Sequence, residues 1–112
     1  MEEFSVGDVV FVRFPFSDLS GQKLRPALLL AEAGRGDLVL CQITSQRYAD
    51  ERAIKLEPDD FSQGRLIKVS YIRPAKLFTA NMEIVEKTVG RVKPEVLRLV
   101  VSEVASLLGA QQ

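Results

Sequence analysis

Hydrophobic residues in this chain come in short runs, and the period of those runs changes once, near the C-terminus. Asp8 to Phe14 (DVVFVRF) is β-branched and aromatic and is closed by Pro15, so it predicts a first strand. Pro15 to Leu24 is rich in turn formers and reads as a loop. Pro26 to Ala31 is almost wholly apolar, Gly34-Arg35-Gly36-Asp37 offers a turn, and Leu38 to Ile43 is apolar again. Together they predict a central hairpin buried on both faces. A polar connection, Thr44 to Arg47, leads to a short strand at Ala53 to Leu56, which Glu57-Pro58-Asp59-Asp60 ends. Further strands are expected at Arg65 to Ile72, broken by Pro74, at Lys76-Leu77-Phe78, and at Lys87 to Val92. Many short strands at this spacing suggest a small barrel.

From Pro94 the period becomes helical. Proline suits the first helical position, and Glu95, Arg98, Ser102 and Ser106 fall three or four apart as a polar stripe. Val96, Leu97, Val100, Val101, Val104 and Leu108 are left for burial, and Gly109 ends the helix. So wide an apolar face, with few Lys or Arg opposite it, suits capping a barrel or packing in a dimer better than lying on a membrane. The fold class expected is therefore mainly β with one C-terminal α-helix. No repeat, low-complexity segment or linker divides the chain, so residues 1–112 read as a single domain.

Composition narrows the chemistry. At 112 residues and 46 % hydrophobic, the chain can fill one modest core. Its acidic start carries no secretory signal, and no apolar stretch approaches the roughly 18 residues of a membrane span, so a soluble, cytoplasmic protein is expected. The single cysteine, Cys41, lies in an apolar run and reads as a small buried hydrophobe. Histidine is absent altogether, which removes Ser-His and Cys-His nucleophiles and most zinc sites. Beyond Asp59-Asp60 there is no carboxylate cluster at metal-ligand spacing, so neither metal nor cofactor is expected. Net charge is zero, which argues against a large non-specific basic surface. From Arg65 to Arg98, however, eight Lys/Arg accompany three Asp/Glu, enough for a local basic patch.

Arg25 stands between a polar loop and an apolar strand, and Pro26 biases it toward an extended conformation. A guanidinium held there suits two phosphate oxygens, although a structural pair with a loop carboxylate would also account for it. Pairing through Gly34-Arg35-Gly36 sets Arg25 opposite about Gln46, close to the hydroxyls of Thr44 and Ser45 at the end of the neighbouring strand. Arginine and hydroxyls at one edge make an anion site; hydroxyls that only cap a strand end are the alternative.

Gly7-Asp8-Val9-Val10, Phe14-Pro15-Phe16-Ser17-Asp18-Leu19-Ser20-Gly21 and Lys23-Leu24-Arg25-Pro26-Ala27-Leu28-Leu29-Leu30 closely resemble the N-terminal signature of the MazF/PemK (Kid) family of toxin–antitoxin ribonucleases. Ile43-Thr44-Ser45, Leu66 to Tyr71, Lys76-Leu77-Phe78 and Val89-Gly90-Arg91-Val92 continue the likeness in order. The resemblance implies a homodimer of SH3-like barrels, of the CcdB/MazF kind, that cuts single-stranded mRNA without metal and is neutralised by a cognate antitoxin. It also implies that Arg25 is the catalytic arginine and Thr44 its partner hydroxyl. RNA-binding roles would fall to Ser17, Ser20 and Lys23 in a gating loop, and to Ser45, Ser70, Arg73 and Lys76.

One departure stands out. Some members carry Arg-x-Asp before the proline that aligns with Pro74, whereas this chain has Ser70 and Ile72 there, so no carboxylate base can be assigned. With no histidine and no metal cluster, the nucleophile expected is the RNA's own 2′-hydroxyl, giving a 2′,3′-cyclic phosphate and a 5′-hydroxyl. Two rivals remain: a non-catalytic toxin resembling CcdB, which binds DNA gyrase, and an inactive barrel that only binds a partner.

Overall fold

The computed structural model describes residues 4–14, 23–47 and 51–109. Its strands are β1 (Asp8–Phe14), β2 (Lys23–Gly34), β3 (Asp37–Thr44), β4 (Ile54–Leu56), β5 (Phe61–Gly64), β6 (Ser70–Asn81) and β7 (Val85–Val92), followed by helix α1 (Pro94–Leu107). All seven strands join one curled antiparallel sheet in the order β4-β6-β3-β2-β1-β7-β5. The architecture is the mainly β, half-barrel arrangement with a C-terminal helix that the patterning suggested. No helix among the described residues is long and apolar enough to cross a membrane.

The central strands are apolar without interruption because both of their faces are covered. Val9, Leu28, Cys41 and Ile43 join one buried cluster with Ile72, Val92, Val96 and Val100. Their sequence neighbours Val10, Ala27, Leu29 and Leu40 point the other way, into a second cluster with Val12, Leu38, Ala80 and Val85. Helix α1 covers the first cluster through Val96 and Val100, with Leu97 and Val104 at its margin. Pro94 opens the helix as expected, and its last turn closes where Gly109, at φ 87°, donates its N–H to the Ser106 carbonyl at 3.0 Å. Val101 and Leu108, expected inside, are 46 % and 72 % exposed: the helix meets the sheet along a narrower stripe than its apolar residues would allow.

The β2–β3 hairpin turns through Arg35 and Gly36, both at positive φ, as a tight two-residue hairpin requires. Two bulges follow. Leu30 and Ala33 are each an extra residue on β2, so the register moves from Gly34 opposite Asp37 to Ala27 opposite Gln42. Continued to the strand end, this sets Arg25 level with Thr44, not Gln46.

Two strand expectations fail for related reasons. Arg65 to Val69 is a loop, and β6 instead runs unbroken from Ser70 to Asn81 straight through Pro74. Between Ile72 and Leu77 β6 uses five steps where β3 uses two, from Ile43 to Cys41, and Pro74 sits fully buried within that irregularity. Edge strand β4 pairs only with Ser70 to Ile72, so the missing N–H of Pro74 breaks no ladder. Strand β5 was not expected; its sequence, Phe-Ser-Gln-Gly, has one apolar residue, and that residue, Phe61, is buried.

Several family-like residues turn out to be scaffold. Asp8, only 5 % exposed, pairs with Arg91 at 3.0 Å and accepts the Ser5 N–H at 2.9 Å, while Arg91 also donates to the Val6 carbonyl at 3.2 Å. Gly7, at φ 99°, bonds Leu29 and Val92 through its N–H and C=O. Gly90 leaves room for the Phe61 ring: a Cβ there would lie 2.9 Å from two ring carbons. These contacts hold the N-terminal arm and β5 against β7.

Candidate functional site

Beyond the helix-covered part of the first cluster, the barrel opens into a cleft of about 620 Å³. Its floor comes from adjacent strands: Ile43 and Thr44 from β3, Leu24, Arg25 and Pro26 from β2, Phe11 from β1, and Lys87 and Val89 from β7. One wall is the loop Arg65-Leu66-Ile67-Lys68, with Ser70 at its foot. Leu66 packs into the first cluster and anchors this loop, leaving Ile67 100 % exposed at the rim.

Charge in the cleft is one-sided. Four cations line it, Arg25, Arg65, Lys68 and Lys87, and no Asp or Glu among the described residues does so, in a protein of zero net charge. Arg25 is half-buried, and among the described residues it makes no hydrogen bond or ion pair. A guanidinium without a carboxylate partner, beside hydroxyls and other cations, is a receptor for an anion. Thr44 is oriented for the same task. Its Oγ1 accepts the Gln46 N–H at 3.2 Å, so its hydroxyl proton is left to donate outward. Ser45 follows it into the cleft.

Other residues singled out in the sequence are placed differently. Ser70 reaches the cleft but is 4 % exposed, and its hydroxyl donates to the Lys68 carbonyl at 3.0 Å, which pins the loop. Lys23, Arg73 and Lys76 do not line the cleft: Lys23 sits opposite Phe14 at the start of β2, and Arg73 and Lys76 lie within the β6 irregularity. Ser17 and Ser20 lie outside the described residues. Cys41 is buried in the core, and burial pushes its thiol up to about 12, partly offset by a backbone hydrogen bond at Leu28. It is a packing residue. Among the described residues no group of three or more His, Cys, Asp or Glu is arranged to hold a metal ion.

A family model for the PemK-like, MazF-like toxin of type II toxin-antitoxin systems matches residues 5–108. The chain belongs to this family. Solved structures agree in fold. A mycobacterial endoribonuclease in complex with its cognate antitoxin superposes at TM-score 0.73 with 18 % identity, covering 100 % of this chain and 99 % of that one. A chain of a MazE-MazF crystal structure from Deinococcus radiodurans gives TM-score 0.74 at 21 % identity, covering 95 % of this chain and 96 % of that one. The Mycobacterium tuberculosis toxin MazF-mt6 gives 0.72 at 12 % identity, covering 94 % and 99 %. Among curated proteins none matches significantly.

In this MazF-like chain the cleft also holds residues that the sequence did not single out: Phe11, Leu24, Arg65, Ile67, Lys68 and Lys87. The basic surplus from Arg65 to Arg98 was the one signal of the cations among them, and the apolar residues had none. Three of those cations, Arg65, Lys68 and Lys87, gather at the cleft with Arg25, while Arg91 from the same stretch is taken up by Asp8.

Proposed function

We propose that this toxin is a metal-independent endoribonuclease that cuts single-stranded mRNA in the cytoplasm by attack of the 2′-hydroxyl on the adjacent phosphate. The observation that carries the reading is the cleft with four cations, the Thr44 and Ser45 hydroxyls and no carboxylate among the described residues. It suits a polyanion, whose successive phosphates these cations can neutralise. The relatives described as endoribonucleases, and the family match, support the same class.

RNA carries its nucleophile next to the phosphate, so the protein need only align it and stabilise charge. The 2′-oxygen bonds to phosphorus, the bond to the 5′-oxygen breaks, and the products are a 2′,3′-cyclic phosphate and a 5′-hydroxyl. Arg25 binds the non-bridging oxygens as negative charge grows on them, and Thr44 donates its hydroxyl proton to the same group. Arginine stays protonated, so it serves as a charge stabiliser and not as a base. The 2′-hydroxyl proton leaves to water at the open mouth, and water protonates the 5′-oxygen. Ser45, Arg65, Lys68 and Lys87 hold flanking RNA; Lys23, Arg73 and Lys76, outside the cleft, act on RNA further from the cut, and Ser17 and Ser20 bind RNA as well.

The partners in this reading are a second copy of the chain and an acidic, largely disordered segment of the antitoxin that competes with RNA for the cleft. The exposed Leu99, Val101, Leu107 and Leu108 are apolar surface for the second copy to cover. Sedimentation at micromolar concentration should give a dimer, and a persistent monomer contradicts this part.

The deciding experiment incubates a long RNA with the protein in excess EDTA, maps the ends, and measures supercoiling by gyrase in parallel. Cuts should carry 2′,3′-cyclic or 3′-phosphate and 5′-hydroxyl ends, and should vanish when the nucleotide before the cut is 2′-deoxy. Strict dependence on Mg²⁺, cutting of the deoxy-substituted bond, or loss of gyrase activity with intact RNA overturns the proposal.

A further inference from the structure

Phe11 is half-buried on β1, directly opposite Pro26 of β2 on one side and Lys87 of β7 on the other. Residues directly opposite in antiparallel strands project to the same face. Phe11, Pro26 and Lys87 therefore form a row across three strands, and all three line the cleft beside Ile43. The row is flat and apolar in the middle, with a cation at its end and Arg25 next to its proline. Lys87 Nζ stands 5.9 Å from the Phe11 ring centroid, at the outer limit of a cation–π contact, so it covers the ring weakly.

We infer that this row is a stacking shelf for one unpaired nucleobase of the RNA, with Phe11 as the platform. The base lies on the Phe11 ring against Pro26; Lys87 swings from the ring to that nucleotide's phosphate; Arg25 takes the neighbouring, scissile phosphate. The inference rests on the RNA-cutting reading above and adds what recognises the strand. Cations alone do not distinguish an RNA from an acidic peptide, but an aromatic face between two cations matches the alternation of flat bases and phosphates along a strand. It also supplies a physical reason for single-strand preference: a base within a duplex has both faces stacked and cannot lie on the shelf.

The chain has no tryptophan, so Phe11→Trp places a sole indole at the shelf. The probe is a single-stranded RNA containing a cut site, made uncleavable by one 2′-deoxy nucleotide before the cut, and a series of the same strand with one abasic nucleotide at each position in turn. Binding of the parent strand should quench the indole of Phe11→Trp, and one abasic position should abolish the quenching. Phe11→Leu, which keeps apolar bulk and loses the ring, should weaken binding of the parent strand about tenfold. It should weaken binding of the strand that is abasic at the shelf position hardly at all, an interaction that a merely structural role would not produce. If Phe11→Leu proves misfolded by circular dichroism, the quenching series decides alone. Quenching that no abasic position removes, or no quenching, overturns the shelf while wild-type cleavage leaves the nuclease reading intact. Quenching by an acidic peptide but not by RNA assigns the row to a protein ligand and overturns it too. A wild-type protein that neither binds nor cuts RNA fails at the earlier step, and the shelf falls with it.

Discussion

The same face of β1, β2 and β3 ends in two different ways. Val9, Leu28 and Cys41 lie fully buried in the cluster that Val96 and Val100 of α1 complete, and the helix stays close enough there for Leu97 to reach within 3.7 Å of where a Cβ on Gly7 would sit. Two residues further along β1 and β2, Phe11 and Pro26 line an open cleft, with Ile43 of β3 closing its floor. The charges differ in the same way. At the covered end the Asp8–Arg91 pair is made, with the Asp8 carboxylate buried; at the open end four cations line the cleft with no carboxylate among its described residues. A charge that a neighbour already satisfies holds the fold, whereas one left without a counter-charge at an open site is available to a ligand.

The largest effect that can break this contrast is at Arg25. Arg25→Ala should lower cleavage by about a hundredfold or more, the loss typical of removing one donor from a developing charge, while thermal unfolding barely moves. Lysine should not restore it, since a point charge lacks the planar fork. Single-turnover rates within about threefold of wild type would remove Arg25 from the reaction.

Next in size is a comparison within one strand. Leu28 and Leu24 lie on the same face of β2, the first fully buried and the second 50 % exposed at the cleft. Leu28→Ala should destabilise the protein by about 2–5 kcal/mol, because it leaves a cavity in the helix-covered cluster. Leu24→Ala should change stability by less than about 0.5 kcal/mol. Urea denaturation of both variants checks this. Equal losses would mean that the cleft end is covered in solution, for instance by a second copy.

Gly90→Ala belongs between these, since the new methyl would press on the Gln63 carbonyl oxygen at 2.8 Å and on the Phe61 ring at 2.9 Å. Overpacking of this kind costs about 1–3 kcal/mol, and edge strand β5 should lose hydrogen-exchange protection before the central strands do. A variant as stable as wild type, with β5 equally protected, would show that the β5 backbone at Gln63 and the Phe61 ring both give way freely.

Most of the covered end was legible in the sequence, and less of the open end was. Val10, Val12, Ala27, Leu29 and Leu40 announce two-sided burial because an uninterrupted apolar run has no solvent face. Pro94 and Gly109 mark the helix because their backbone preferences are local. Arg25, Thr44 and Ser45 were found through the strand ends beside them, and they do line one cleft. What escaped depends on long-range geometry. The bulges at Leu30 and Ala33 shifted Arg25 from Gln46 to Thr44, and no local residue signals them. Pro74 misled because a proline is read as a break unless one knows that β4 stops at Ser70 to Ile72 and that β6 departs from register there. Phe11 looked like any strand aromatic; only the helix's position decides that it stands at the open end while Val9 does not.

The smallest expected effect tests whether the open-end cations act on phosphate at all. Lys87 is exposed, so Lys87→Met, which keeps most of the stem and removes the charge, should alter stability by less than about 0.5 kcal/mol. Its consequence should appear in the salt dependence of binding. Each phosphate neutralised on a single strand contributes about 0.7 to the slope of log affinity against log salt, through release of a condensed counterion. A titration of the uncleavable RNA across several salt concentrations should therefore give a shallower line for Lys87→Met, by about 0.7 if the lysine holds one phosphate. Arg98→Met, on an exposed part of α1 away from the cleft, should leave the slope unchanged. Equal shallowing by both substitutions would mean that RNA feels only the protein's overall charge, and the contrast between the two ends would lose its electrostatic half. An unchanged slope with Lys87→Met but weaker binding would instead keep the lysine on the Phe11 ring and off the phosphate, because the ring contact releases no counterion.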